Sequence, residues 1–441
     1  MYNYSASFVF TFLFIVFQGA FAKPALLSGP IAMHTTDTTM RLWALVENTH
    51  RVDAILRTKD RDNLLFQQTF TLVIDSQYAV SPTPVALFFK DLQANTQYTC
   101  TIKLDGEVAS KKQFNTLHSA GTSNFSFLVG SCSYITDLPA QMGTKRICYR
   151  QAAKTPADFM LWIGDNFYYR KKEWESYESM LQRNLKTRLF KPLNRLLSQR
   201  PNYAIWDDHD FGPNNADSSF PHRDWSLALF QEFWGNPSEG TSNAKGVFFN
   251  FRYQDAEFFM LDGRYHKSPP NSIDGSLLGK EQLAWLCEQL QKSTATFKFI
   301  VCGVQFLNEE PSGLHSEGFK EFPAAKKQLL DFLEKQAIKG VIFLSGDRHF
   351  SELYQLPRPH SYDLHEATFS GISTFGTNMP TTINSGVLYS EANTRYWANH
   401  FGKVDIEGTG QERQCRVQLI NKQGELVWER SWKAVELGYA K

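Results

Sequence analysis

The chain has 441 residues, of which 42% are hydrophobic and 21% charged, and its net charge is +1. This length favours one small and one large domain over a single unit. With no basic tail and no acidic run, the charge balance removes the electrostatic case for nucleic acid or an anionic membrane as a partner. Aromatic residues reach 14%, with 36 Phe, so Phe-rich cores are expected.

The first informative segment is Phe8 to Phe17, FVFTFLFIVF, followed by Ala20-Phe21-Ala22 and Lys23-Pro24. An apolar run of about 10 residues before a small-x-small site predicts a secretory signal peptide over residues 1–22. The run is too short to cross a bilayer, and no later stretch reaches 18 apolar residues, so no transmembrane segment is expected. The expected location is secreted or periplasmic. Six cysteines follow: Cys100, Cys132, Cys148, Cys287, Cys302 and Cys415. An even count permits disulfides in an exported protein, but the scattered spacing leaves the pairing open.

Residues 23–118 read as β. Short alternating runs recur at Met40 to Leu45, Phe70 to Ile74, Val85 to Phe89 and Tyr98 to Leu104, separated by Thr, Asn, Asp and Gly. That spacing predicts a β-sandwich whose last strands resemble a fibronectin-III-like domain, with a spacer or packing role. Ser119 to Asn124 reads as a linker. From 119 to 441 strands and helices alternate. Strands are expected at Phe125 to Val129, Phe159 to Ile163, Tyr203 to Trp206, Phe258 to Leu261, Phe297 to Val304 and Val341 to Leu344. Helices are expected at Trp174 to Leu197, Lys280 to Gln291 and Ala324 to Lys335, and Cys415 to Trp432 returns to β. This is the pattern of an α/β domain.

Metal-competent residues sit at the C-terminal ends of these apolar strands, where α/β sheets build their sites. Gly130-Ser131-Cys132 presents a thiol after a glycine turn. As a thiolate it would be a strong ligand, although a buried cysteine or disulfide partner would read the same way. Gly164-Asp165-Asn166-Phe167-Tyr168 presents a carboxylate able to bridge two cations or, alternatively, to cap a helix. Trp206-Asp207-Asp208-His209-Asp210 places three carboxylates and an imidazole in succession. Their repulsion is costly unless cations neutralise it. Ser345-Gly346-Asp347-Arg348-His349 puts Asp347 and His349 at i and i+2, on one side of an extended segment. Asp262 and Arg264 form a weaker fifth element, in which the arginine suits either phosphate or its neighbouring acid.

The ordered set GSC at 130–132, GDNFY at 164–168, WDDHD at 206–210, DGR at 262–264 and SGDRH at 345–349 resembles the signature of PhoD-like alkaline phosphatases. The resemblance runs from about residue 120 to 405 and takes in Glu366 and Asn399-His400-Phe401-Gly402. It implies an α/β metallophosphoesterase core, a β-sandwich flanked by helices, preceded by an all-β fibronectin/Ig-like domain. It also implies iron ligated partly by Cys132, with calcium beside it. Asp165, Asp208, Asn214 and Asp347 are the expected oxygen ligands, and His349 shares the site. The family's iron also takes a tyrosine from a helix between the second and third motifs. Gln182 to Leu197 contains no Tyr, which leaves Tyr168, Tyr169 and Tyr177 as candidates. The implied reaction is hydrolysis of a small phosphate ester by a metal-activated water at neutral to alkaline pH. Asp165 would bridge the metals, His209 would donate a proton to the leaving alcohol, and Arg264 or Arg348 would clamp the phosphate. Three other readings compete. They are a phosphodiesterase or phospholipase-D-like activity on the same site, a degenerate binding protein, and a purple-acid-phosphatase-like enzyme. The last would carry Asp and His where this chain has Cys132 and Asp347.

Overall fold

In the strand Gln97–Leu104, buried Tyr98, Cys100, Ile102 and Leu104 alternate with more exposed residues. Such a strand has one apolar face and needs a second sheet to cover it. In this computed structural model, residues 23–58, 66–71, 82–136, 145–270, 272–310, 317–374 and 382–440 are described, and the second sheet is present among them. Ala25–Thr35, Met40–Glu47 and Thr83–Phe89 form a three-stranded sheet. Phe66–Thr71, Arg51–Thr58, Gln97–Leu104 and Glu107–Asn115 form a four-stranded one. Met40, Leu42, Val85 and Leu87 meet Val52, Leu56, Tyr98 and Ile102 in one core. The signal peptide expected over residues 1–22 lies outside the described residues. Of the strand expected at Phe70 to Ile74, Phe70 and Thr71 lie in the strand Phe66–Thr71, and 72–74 lie outside the described residues.

The remainder is built on two six-stranded mixed sheets. The first runs Asn202–Ile205, Phe159–Ile163, Phe125–Gly130, His400–Glu407, Gln414–Asn421, Leu426–Lys433. Its first three strands are parallel and the rest antiparallel. The second runs Phe249–Tyr253, Ala256–Met260, Phe297–Val301, Val341–Ser345, Leu364–Phe369, Ser351–Leu356, with the middle four parallel. These central strands are buried on both faces, which explains their unbroken apolar sequences. Phe258, Met260, Phe299, Val301, Ile342 and Leu344 face the first sheet. Their neighbours Phe259, Ile300, Val341 and Phe343 meet Leu283, Leu286, Leu329 and Leu333 of the helices Lys280–Lys292 and Pro323–Lys335. Phe rings zip the two sheets together. Phe127 stacks on Phe159 at 5.3 Å and meets Phe258 and Phe299 edge-on at 5.1 and 5.2 Å.

The N-terminal sandwich is anchored to this core. Ile31, Met33, Trp43 and Leu45 belong to the same apolar cluster as the first sheet. The Asn202 amide donates to Ala32 O at 2.9 Å, the Tyr203 hydroxyl donates to Thr35 O, and Trp43 Nε1 donates to Glu232 O at 3.0 Å.

One expectation is corrected here, and the cysteine pairing left open by the sequence is decided. The helix expected across Trp174 to Leu197 is three pieces: a 3-10 turn at Glu173–Glu175 and helices at Tyr177–Leu189 and Lys191–Leu197. Pro192 has no N–H to return to Arg188 O, so the ladder breaks at Phe190, and the Asn194 side chain takes that carbonyl at 3.1 Å. The even cysteine count also makes no bridges, since all six cysteines are free. Among the described residues no helix is long and apolar enough to cross a membrane.

Candidate metal centre

The residues that follow the parallel strands converge. Ligand atoms of Cys132, Asp165 and His349 lie within 4.8 Å of one another, and so do those of Asp165, Asp208 and His209. Asp207, Asp208 and Asp347 form a third such group. Asp165 and Asp208 are shared, so the three groups make one continuous cluster. The strand ends turn sharply to achieve this: Cys132, Asp165, Asp347 and His349 all have φ between 51° and 68°. Non-glycine residues seldom adopt that region, and a run of them at one place is strain held by the surrounding packing. Gly164 (φ 95°) is needed for close approach, because a Cβ there would stand 2.7 Å from Asp207 Cβ.

The thiol end is well bonded internally. Cys132 Sγ lies 3.0 Å from Ser370 Oγ, 3.2 Å from Ser131 Oγ and 3.5 Å from Asp165 Oδ2. The Tyr168 hydroxyl donates to Asp165 Oδ2 at 2.8 Å and lies 3.2 Å from His349 Nε2. The His209 ring packs on Tyr168 at 4.2 Å, and its backbone N–H donates to Asp165 Oδ1 at 3.2 Å.

The carboxylate end is not. Asp208 accepts from the Asn215 N–H at 2.6 Å through Oδ2, and Asp207 accepts from Arg264 Nε at 2.6 Å through Oδ1. The other oxygen of each, Asp208 Oδ1 and Asp207 Oδ2, is buried with no hydrogen-bond partner among the described residues. Leaving such an atom unsatisfied costs about 1–3 kcal/mol, more for a charged group. Two of them in one group with Asp347 fit a cation.

Electrostatics give the same account. Burial, then repulsion from Asp208, Asp207, Asp210 and Asp347, pushes the Asp165 carboxyl well above the ordinary range. Burial raises Asp347 to about 7, against the pull of Arg348. Asp208 alone falls, to about 2, because Arg264, His209 and the Asn215 N–H outweigh its burial. Burial and then Asp165 raise the Cys132 thiol. Cations would remove these penalties by compensating the charge.

Of the three candidate tyrosines, Tyr168 brings its hydroxyl to the cluster. Tyr169 OH is taken by Asn184 at 3.0 Å, and Tyr177 is 39% exposed. Asn214 is exposed and its amide bonds Asn215 at 2.7 Å, whereas its neighbour Asn215 reaches Asp208 through the backbone. Arg264 departs from the phosphate-clamp expectation. It is fully buried, with Nε on Asp207, Nη2 on Glu317 at 2.6 Å and Nη1 on Ala216 O at 3.3 Å. Its expected alternative partner, Asp262, instead takes Trp206 Nε1 at 2.7 Å and three backbone N–H groups. Arg348 bonds Glu310 at 2.7 Å. Glu366 holds the backbone of Phe306 and Leu307, outside the cluster. Residues not singled out from sequence are Asp207 as distinct from Asp208, Ser370, Glu310 and Glu317. Asp207 carried a signal, being the first acid after an apolar strand. The other three lie in segments without one.

A family model described as PhoD-like phosphatase matches residues 127–419. The chain belongs to the PhoD-like phosphatase family. Alkaline phosphatase D of Bacillus subtilis (strain 168) is 23% identical over 315 residues, covering 59% of this chain and 52% of that protein. The chain thus spans about half the length of this curated relative. A solved structure of PhoD superposes with a TM-score of 0.76 at 16% identity, covering 94% of this chain and 91% of the other. A purple acid phosphatase from yellow lupin (Lupinus luteus) seeds gives 0.63 at 13% identity, covering 91% and 73%. These likenesses show the fold to be metallophosphatase-like. With the donor set above, membership of the PhoD-like family points to a metal cofactor.

Proposed function

We propose that this protein is a secreted, metal-dependent alkaline phosphatase acting on small phosphate esters. The observation that carries the reading is the pair of buried, unpartnered carboxylate oxygens on Asp207 and Asp208 in a cluster continuous with Cys132 and His349. The thiol, imidazole and phenol donors of Cys132, His349 and Tyr168 suit iron, and the all-oxygen group of Asp207, Asp208 and Asp347 suits calcium. Asp165, common to two of the groups, would hold both cations. When bound, such cations neutralise phosphate oxygens and acidify a water. His209 is the proposed proton donor to the leaving alcohol. Burial lowers its pKa while the Asp208 charge opposes that shift, and its ring packs on Tyr168 at 4.2 Å. Arg348 is the clamp candidate that remains, with Arg264 holding Asp207. Export rests on the apolar run before Ala20-Phe21-Ala22. The three-plus-four strand arrangement of residues 23–118 supports a fibronectin/Ig-like sandwich, ahead of a catalytic domain over 119–441.

The test is elemental analysis of purified protein, with p-nitrophenyl phosphate and bis-p-nitrophenyl phosphate assays on the same sample. Near-stoichiometric iron and calcium, and monoester hydrolysis abolished by chelation, are expected. A faster diester rate would move the reading to a phosphodiesterase. A metal-free protein that stayed inactive after iron and calcium were restored would leave a binding protein.

A further inference from the structure

We propose that Glu317 is a positioning residue for the metal centre: by occupying Arg264 Nη2 it limits that arginine to one bond with Asp207 and leaves Asp207 Oδ2 for a cation. The inference rests on the metal reading above.

An arginine presents Nε and Nη2 along one edge, and a carboxylate matches that edge with both oxygens. Among the described residues other arginines use it so, two of them buried. Arg413 takes Asp255 through Nε at 2.9 Å and Nη2 at 2.5 Å. Arg183 takes Glu173 through Nε at 2.8 Å and Nη2 at 2.6 Å. At Arg264 the same edge is split between two acids, Nε to Asp207 Oδ1 and Nη2 to Glu317 Oε2, both at 2.6 Å. Glu317 cannot drift from this post, because its other oxygen is held by Lys267, and all of these side chains are buried. Asp207 is boxed as well. A Cβ on Gly303 would stand 2.7 Å from Asp207 Oδ1, so the carboxylate approaches that strand end only because residue 303 is glycine. The outcome is one Asp207 oxygen neutralised and one left in the group with Asp208 and Asp347. Without the Glu317 charge, Arg264 Nη2 is free to close on Asp207 Oδ2, and the group loses an oxygen donor.

The experiment titrates calcium chloride into chelator-stripped full-length protein by calorimetry, for wild type, Glu317→Gln and the double variant Arg264→Gln/Glu317→Gln, with melting curves to confirm folding. Glu317→Gln should bind calcium about 10–100-fold more weakly, the range usual for a lost outer-shell partner. The double variant should recover most of that loss, since the competing guanidinium is gone. A folded Glu317→Gln that binds calcium like wild type overturns the proposal. So does a double variant that binds no better than the single one, which would mark a purely structural role. If Glu317→Gln does not fold, Glu317→Asp keeps the charge but withdraws it from Arg264. Weaker calcium binding by that variant supports the proposal, and unchanged binding overturns it. Wild type that binds no calcium and hydrolyses no ester would instead fail the phosphatase reading, and the inference with it.

Discussion

The two ends of the cluster differ in kind. At the Cys132 end the donors are a thiol, an imidazole and a phenol, and each already has a neighbour within hydrogen-bonding range. At the Asp207–Asp208–Asp347 end every donor is a carboxylate, and two oxygens have no partner among the described residues. The first end is soft and internally satisfied, so it would choose a cation by donor type. The second is hard and internally frustrated, so it would demand charge. On the proposed reading, one fold would thus present two selectivities a few ångströms apart, joined through Asp165 and Asp208.

The severest way to break this contrast is to remove the joint. Asp165→Asn should cost about 10²–10³-fold or more in turnover of p-nitrophenyl phosphate, with both metals depleted in elemental analysis. Loss of only one metal would show that Asp165 does not bridge. Cys132→Ser isolates the soft end. Iron should fall well below stoichiometry while calcium binding by calorimetry stays within about threefold, because the carboxylate group is untouched.

A gentler probe uses pH on the metal-stripped protein. The Asp165 and Asp207 carboxyls are held well above the ordinary range, and Asp347 at about 7, with burial the leading cause in each. The folded chain therefore keeps protons that the unfolded chain has lost. Stability then declines as pH rises from about 4 to about 7, since the native state binds more protons there. Asp208, depressed to about 2, acts in the opposite sense and only below that window. Melting temperatures of stripped protein should drop across this range, and calcium should restore them. A flat profile would mean the carboxylate end is not frustrated. The smallest effect is expected at Asn214. As an exposed side chain bonded to Asn215, its change to Ala should alter activity by less than about threefold, and a larger loss would return it to the ligand set.

How far the site could be read in advance follows from chain geometry. Phe159–Ile163 and Val341–Ser345 were legible because strands buried on both faces are apolar throughout and stop at a polar residue. That stop is the site, which is why Cys132, Asp165, Asp347 and His349 could be picked out. Asp207 was harder. In an extended chain, adjacent residues point to opposite sides. Here a short helical turn, Asp208–Phe211, begins between the two acids and lets both face the same cluster. The partners of Arg264 were not legible at all. Glu317 lies 53 residues further along the chain, in a segment with no periodic pattern, and only folding brings it to the arginine. The fracture of the expected long helix had a visible cause in Pro192, one that apolar periodicity alone does not register.

The way the N-terminal sandwich sits on the core bears on more than spacing. Asn202–Ile205 is the terminal strand of the first sheet, and Asn202 and Tyr203 reach the backbone of Ala25–Thr35 from it. A bare terminal strand is a template for pairing with other chains. The sandwich covers part of this border through Asn202 and Tyr203, and the Asn236 amide takes Ala204 O at 2.9 Å, all on the strand that leads directly into Asp207 and Asp208. Truncating the protein to residues 119–441 should therefore lower its solubility, because Asn202 and Tyr203 would lose the carbonyls of Ala32 and Thr35.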